Sequence, residues 1–315
     1  MALPAIADVR RGEPNVRLVV AARRAVAALF SMVADVDEVL TLDAGGWRES
    51  SRRLAGGGFG TAILLPNSFQ AAWVASNARI RERWGYRTDW RGALLTRAVA
   101  APRKVHQVEY YRQLVAALGF PNGSDEPRIV VSGNRRDEAA ALLARAGWDG
   151  QTPLVAIAPG AAYGGAKRWP SRSFGELARG LVDDGAAVVM IGTGADRRIA
   201  NEVERQFGSA GAVKGLLDLV GATDLPMLAA VFAHCRALVT NDSGAMHLAA
   251  AVGTPVTALF GPTNERATGP LGARHNLIVG EAWCRPCMLR ECPIDHRCMR
   301  RITVSAVRES ARQSL

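Results

Sequence analysis

The residues best suited to chemistry fall in one short run, TNDSGAMHLAAAVGTPVTALFGPT, over Thr240–Thr263. An acid, a hydroxyl, a glycine and a histidine (Asp242, Ser243, Gly244 and His247) are set among residues that are almost all apolar. ALVTN reads as a buried strand, and SGAMHLAAAV reads as a helix ended by Gly253 and the following Pro255. Asp242 or Ser243 then stands at the N-cap, where a side-chain oxygen can satisfy one orphan backbone N–H. Capping alone is a sufficient structural reason for both residues. The same geometry also makes an anion site. The N–H groups of Ser243, Gly244 and Ala245 point out of the first turn, where the helix dipole favours negative charge. Gly244 lets a phosphate approach the backbone, and His247, one turn on from Ser243, can donate to it.

A second run, APGAAYGGAKRWP over Ala158–Pro170, leaves a strand through small residues and presents Lys167, Arg168 and Trp169. It lacks the spacing of a Walker loop. Lys167 nevertheless stands out, because Lys104, Lys167 and Lys214 are the only three lysines among 39 basic residues. A lysine is a compact point charge that an arginine does not replace. IGTGADRR (Ile191–Arg198) is a third strand-end loop, with Asp196 placed to accept a ribose hydroxyl.

Four cysteines, Cys284, Cys287, Cys292 and Cys298, are spaced C-x2-C-x4-C-x5-C, with His296 beside the last. Four thiolates can hold structural zinc tetrahedrally, and such a set has no open position for catalysis. An iron–sulfur cluster is the second metal reading. The alternative is four reduced cysteines in a loop, since the second half of the spacing is not that of a standard knuckle. Cys235, in FAHCRALV, reads as buried core.

The elements that must carry these residues alternate between short β-rich apolar runs and segments of helical period. That pattern indicates α/β units around mainly parallel sheets. VRLVVA, VLTLD (ending at Asp43) and AILLP read as strands of the first half, followed by helices over 69–80 and 105–118. After the turn cluster DGQTP the alternation restarts as LVAIAP, a helix, AVVMIGTG, a helix, ALVTND, a helix and PVTALFGPT. We therefore expect two domains, 1–150 and 151–315. The second should be doubly wound, with its ligand at the carboxyl ends of the strands.

The net charge of +10 is diffuse: 21 basic against 15 acidic residues in 1–150 (+6) and 18 against 14 in 151–315 (+4). No basic block or interleaved aromatic platform concentrates it, so nucleic acid is not an expected partner. A basic surface also suits an anionic membrane or a phosphorylated acceptor. No apolar run is long enough to cross a bilayer and no leader pattern opens the chain, so a cytoplasmic protein is expected.

The Asp242 run, the Lys167 run and the cysteine segment, with LLPNSFQAAWVASNARIRERWGYRTDWRGALLTR over Leu64–Arg97, resemble the bacterial lipopolysaccharide heptosyltransferases of glycosyltransferase family 9. The heptosyltransferase II branch is the nearest pattern. The resemblance implies a GT-B fold, two Rossmann-like doubly wound domains facing across a cleft. It implies inverting transfer of L-glycero-D-manno-heptose from ADP-heptose to the lipopolysaccharide inner core, a lipid A–Kdo–heptose acceptor. By that resemblance the enzyme works on the inner face of the inner membrane as a peripheral protein, with no cofactor required for catalysis. It implies that Gly160, Lys167, Asp196, Asp242, Ser243, Gly244, Ala245 and His247 bind the nucleotide sugar. Lys167, Asp242 and His247 would act in catalysis, and the first domain would bind the acceptor.

In that first domain Asn67 and Ser68 start a helix past a strand end, where they meet an acceptor or simply cap the helix. Arg81, Arg83 and Arg87 could meet acceptor phosphates or form a solvated face. Trp84 and Tyr86 could stack on sugar rings, but core packing is the preferred reading. The family opens with a strand and a Gly-Asp loop carrying its proposed base, and Leu3–Pro4 match the end of that motif. The reading at this point is a chain lacking the first strand and the base, through a misassigned start or a true truncation. A non-catalytic sugar-nucleotide-binding homologue, or a GT-B transferase with another nucleotide sugar, are the alternatives.

Overall fold

The structure, a computed structural model, describes residues 1–42, 45–208 and 215–315; Asp43 lies outside them. The chain divides into two compact units, Met1–Pro127 and Arg128–Leu315.

In the first unit, β1 (Val19–Arg23) pairs in parallel with β2 (Glu38–Leu42). β3 (Thr61–Leu64), β4 (Glu82–Tyr86) and β5 (Arg97–Val99) form a second parallel sheet. No ladder joins the two sheets among the described residues. The helix Leu3–Gly12, with Pro4 in its first turn, buries Ala5 and Val9 against Val115 of the helix Gln107–Ala117. Leu18, just before β1, and Ile63 of β3 pack on that same cluster. The turn cluster after Pro121 is tied back by Asp8, whose buried carboxylate accepts from Gly123 N–H at 2.7 Å and from Arg112 at 3.1 Å.

The division between units falls after Pro127 rather than at the expected 150. The reason is the helix Gly133–Arg145, which buries Ala139 and Leu143 and packs against the helix Leu225–Phe232 of the second unit. Ile129 N–H also donates to Ala251 C=O at 3.0 Å, fastening the start of this segment to that unit.

The second unit is one six-stranded parallel sheet. Its strands are β6 (Leu154–Ala158), β7 (Ala187–Met190), β8 (Leu216–Asp218), β9 (Ala237–Asn241), β10 (Val256–Phe260) and β11 (Asn276–Val279). They lie in the order β11-β10-β9-β6-β7-β8. Every residue of β6, β7, β9 and β10 is buried, which is why these strands read as unbroken apolar runs: helices cover both faces. Phe174, Leu177 and Leu181 from the helix Ser171–Asp183 join Val203, Met299 and Val307 in one core. Each such side chain contributes about 1.5–3 kcal/mol by leaving water.

From β6 the chain proceeds outward through β7 and β8; from β9 it proceeds the other way through β10 and β11. Loops leaving β6 and β9 therefore diverge, and the crevice between them at the carboxyl ends is where a doubly wound sheet takes its ligand. Among the described residues no helix is long and apolar enough to cross a membrane.

Candidate active site

The crevice collects the residues that the sequence singled out. Asp242 follows β9 directly and is buried, held by Leu259 through its own N–H at 3.2 Å. Lys167, at the end of the small-residue loop after β6, places its ammonium 2.6 Å from Asp242 Oδ2. Side-chain exposures of 12% and 7% make this a buried pair, fixed by geometry rather than by a passing surface contact. Thr263, just after β10, donates its hydroxyl to the same oxygen at 2.7 Å. Lys167 Nζ also lies 4.6 Å from the centre of the Tyr163 ring.

Ser243 is the N-cap of the helix Gly244–Val252, but no side chain caps that helix. The Ser243 hydroxyl instead lies 3.1 Å from Thr240 Oγ1, and Asp242 turns to Lys167. The capping reading therefore fails here. The first turn, with Gly244 and Ala245, keeps its N–H groups for another acceptor. Gly244 is exposed, and a Cβ built on it would meet nothing within 4 Å, so space over that turn is open. His247 is half-buried on the same helix, one turn beyond Ser243. The ammonium held by Asp242 and the open helix N-terminus thus lie at the carboxyl ends of β6 and β9, with His247 in the first turns of the same helix.

Asn241, at the end of β9, is the joint of the site. Its amide donates to Pro159 C=O at 2.9 Å and Gly160 C=O at 3.2 Å, and its oxygen accepts from Trp169 N–H at 3.0 Å. Both ends of the Lys167 loop are thereby fixed to β9. Gly160 is required by packing: a Cβ there would come within 2.4 Å of Asp196 Oδ1. Asp196 uses its other oxygen to accept from Thr193 N–H at 2.9 Å and Thr193 Oγ1 at 2.7 Å, a capping box for the turn after β7.

A fixed ammonium beside an open helix N-terminus is an arrangement that can hold an anion. A sequence model of glycosyltransferase family 9 (heptosyltransferase) matches residues 47–297. The chain belongs to glycosyltransferase family 9. Lipopolysaccharide heptosyltransferase 2 of Salmonella typhimurium is 32% identical over 266 residues, 79% of this chain and 75% of that protein. Its Escherichia coli counterpart is 31% identical over the same shares. The solved structure of E. coli ADP-heptose lps heptosyltransferase II superposes with a TM-score of 0.84 at 28% identity, covering 99% of this chain and 93% of that one. A family 9 glycosyl transferase from Veillonella parvula superposes at 0.85 with 20% identity, a likeness of fold. The family 9 enzyme is a glycosyltransferase of GT-B fold.

The acceptor candidates lie in the first unit of the enzyme. Ser68 caps the helix Phe69–Asn77, accepting from Ala71 N–H at 3.3 Å, and Asn67 donates to the Tyr110 hydroxyl at 2.8 Å. Arg87 is exposed. Arg83 is structural instead: its guanidinium donates to Leu94 C=O at 2.7 Å and Ile80 C=O at 2.6 Å. Tyr86 is core, and Trp84 is half-buried.

The four cysteines of the tail are free thiols that line one enclosed pocket of about 20 Å³. The expected tetrahedral set is not assembled: among the described residues no three His, Cys, Asp or Glu side chains are gathered closely enough to hold an ion. The sulfurs surround a gap rather than a point.

Sequence reasoning missed Asn241, Thr263, Tyr163 and Arg285. The first two lie inside the quoted run, and a polar residue ending an otherwise apolar strand was the available signal for Asn241. Arg285 donates to Gly261 C=O at 2.9 Å, Thr263 C=O at 3.1 Å and Glu265 at 2.7 Å, so it fixes the loop that carries Thr263.

Proposed function

We propose that the enzyme transfers heptose from ADP-heptose to the inner core of lipopolysaccharide, with inversion at the anomeric carbon. The observation that carries this reading is the Lys167–Asp242 pair beside an uncapped helix N-terminus at the switch point of a parallel sheet. Relatives with the name lipopolysaccharide heptosyltransferase 2 support the reaction, and the solved ADP-heptose enzyme supports the donor.

Breaking the anomeric C–O bond leaves negative charge on the departing ADP. Donors fixed in advance where charge develops are the largest catalytic contribution such a site can make. The first-turn N–H groups of Ser243, Gly244 and Ala245 receive phosphate oxygens, Lys167 supplies the balancing charge, and His247 donates from the same helix. Asp242 holds Lys167 in place, and Thr263 holds Asp242. Gly160 and Asp196 line the nucleoside end, where the free Asp196 oxygen accepts a ribose hydroxyl.

Acceptor binding falls to the first unit, with Asn67, Ser68 and Arg87 as its polar contacts. Phe69 and Trp73 stack there at 6.1 Å between ring centres, both partly exposed, and Trp90 is almost wholly exposed. Aromatic rings of this kind beside arginines suit a membrane interface, which supports a lipid-anchored acceptor met as a peripheral protein.

The test is ADP release from ADP-heptose with a heptosylated core acceptor, alongside ADP binding by calorimetry. Release that requires both substrates supports the proposal. ADP binding undisturbed by Lys167→Ala combined with His247→Ala would overturn the assigned site.

A further inference from the structure

The charges fixed around the Lys167 loop do not add up to a cation. Lys167 is already paired with Asp242 at 2.6 Å. Glu291 brings a second carboxylate to the loop, where it accepts from Gly165 N–H at 2.9 Å. A nucleoside diphosphate carries more than one negative charge into such a site, and balancing it calls for a further positive group. Two arginines stand close to the loop. Arg168 follows Lys167 directly but has its Nε buried. Arg290 is exposed.

Arg290 belongs to the segment between β11 and the short helix Arg297–Arg300, which contains no helix or strand. Its main chain is fixed all the same. Ala166 N–H donates to Arg290 C=O at 2.9 Å, and a Cβ on Gly164 would fall 2.3 Å from that oxygen. Two residues earlier, Met288 C=O accepts from the Tyr163 hydroxyl at 2.9 Å, and Met288 N–H donates to Pro262 C=O at 2.9 Å. The backbone of Arg290 is thus held beside the residue that precedes Lys167. Its guanidinium carbon lies 5.3 Å from the centre of the Tyr163 ring, and Lys167 Nζ lies 4.6 Å from the same centre. One ring, itself 38% exposed, therefore carries both cations. Among the described residues Arg290 makes no ion pair. Two like charges on one ring repel each other, and an anion received by both relieves that repulsion. An exposed cation–π contact is weak enough to be exchanged for a charge-assisted bond to phosphate.

We infer that Arg290 is a donor-binding residue whose guanidinium takes the second phosphate of a nucleoside diphosphate, the one left unbalanced when Lys167 and the helix N-terminus hold the first. Tyr163 is a positioning residue, since its ring sets where both cationic heads start. The recognised chemistry is a diphosphate rather than a monophosphate: Lys167 and the N–H groups suffice for one phosphate, and Arg290 acts only where a second is present. Arg290 then also faces the charge that grows on the departing diphosphate. This inference rests on the donor site proposed above and adds to it a residue from outside the strand-end loops.

The experiment is calorimetry on the full chain with ADP and AMP as probes, with circular dichroism to follow the fold. Arg290→Ala should weaken ADP binding about tenfold or more, the loss of one charge-assisted contact, and AMP binding less than about twofold. Its circular dichroism and melting temperature should match the parent. Arg290→Lys should keep part of the ADP affinity, and Arg290→Gln should keep none of that part. In a Tyr163→Leu background the further cost of Arg290→Ala should shrink, because the two side chains act through one contact. An undiminished cost there overturns the role of Tyr163. Equal losses for ADP and AMP overturn the reading of a second phosphate. ADP binding that Lys167→Ala weakens and Arg290→Ala does not leaves the donor site standing and refutes Arg290. A parent chain that binds neither nucleotide refutes the donor site and Arg290 with it.

Discussion

Lys167 and Asp242, 75 residues apart in sequence, meet at 2.6 Å across the switch point between β6 and β9. The pair ties together the loops that leave these two strands. Under the proposed function the ammonium that would meet a diphosphate at the helix N-terminus is already held in position, so little reorganisation would be left for the reaction.

Removing Lys167 separates these roles. Lys167→Ala should lower turnover about 10²–10³-fold, the scale of losing one charge-stabilising donor. It should also cost about 3 kcal/mol of stability, because Asp242 is left buried with Thr263 alone. Lys167→Arg keeps the charge but brings a planar fork into a seat shaped for an ammonium beside Tyr163, and should also lose most activity. Lys167→Met with Asp242→Asn should recover stability without recovering turnover. Urea midpoints and single-turnover rates check both halves, and recovered turnover in the double variant would refute the charge role.

Asn241 carries a different load. Asn241→Leu removes one acceptor and two donors at once and leaves Trp169 N–H, Pro159 C=O and Gly160 C=O without this partner. Each buried backbone group left unpaired costs about 1–3 kcal/mol. The expected outcome is a loss of stability of several kcal/mol together with weaker ADP binding, since the Lys167 loop loses both its anchors. Asn241→Ala with unchanged ADP affinity would show the loop to be fixed by other contacts.

The second unit was largely legible because its central strands are buried on both faces, so LVAIA, AVVM, ALVTN and VTALF stand out against polar surroundings. β8 and β11 were not: LLD is three residues long, and NLIV is an edge strand with Leu277 exposed. The helix Gly133–Arg145 reads GNRRDEAAALLAR, polar enough to pass for a linker. Its two fully buried residues, Ala139 and Leu143, decide which unit it joins. In the site, the Asp242 turn and the Lys167 loop were visible as residue types out of place. Thr263, Tyr163 and Arg285 act through partners 20 to 125 residues away, and no local pattern marks such a contact. β4 was hidden for a related reason: ERWGY has the charge and aromatic content of a surface, yet Tyr86 is buried and its hydroxyl donates to Tyr110 C=O at 2.6 Å.

Gly160 offers a probe of the proposed nucleoside end that leaves the groups assigned to the phosphates alone. In Gly160→Ala the new methyl must displace Asp196, whose Oδ1 lies 2.4 Å from the Cβ position. Asp196 is also bonded to Thr193, so it cannot withdraw without losing its capping box. The expected result is a KM for the sugar nucleotide raised about tenfold with turnover little changed, the pattern of lost ground-state binding. Asp196→Asn, which keeps the shape and the distance, should raise KM less. An unchanged KM in Gly160→Ala would place the nucleoside elsewhere.

The acid limb of stability should depend on two carboxylates far from the crevice. Asp184 is held below the usual carboxylate range by hydrogen bonds from Arg308, at 2.7 and 2.8 Å, which clamp the helix Val304–Arg312 to the helix Ser171–Asp183. Asp149 is pushed down to about 2, first by the Thr152 hydroxyl at 2.6 Å and then by the N–H groups of Thr152 and Gln151. Both values are depressed on folding, so each contribution is complete above the unfolded carboxylate value of about 3.9 and disappears as pH falls through the folded value. Arg308→Ala and Thr152→Val should therefore lower the urea midpoint at pH 7 and approach the parent as pH falls from about 4 toward 2. The Arg308 variant should also expose the last helix to proteolysis at neutral pH, because its loss frees an element that packs on the central core. A midpoint difference that stays constant from pH 7 down to about 2 would assign both effects to packing rather than to charge.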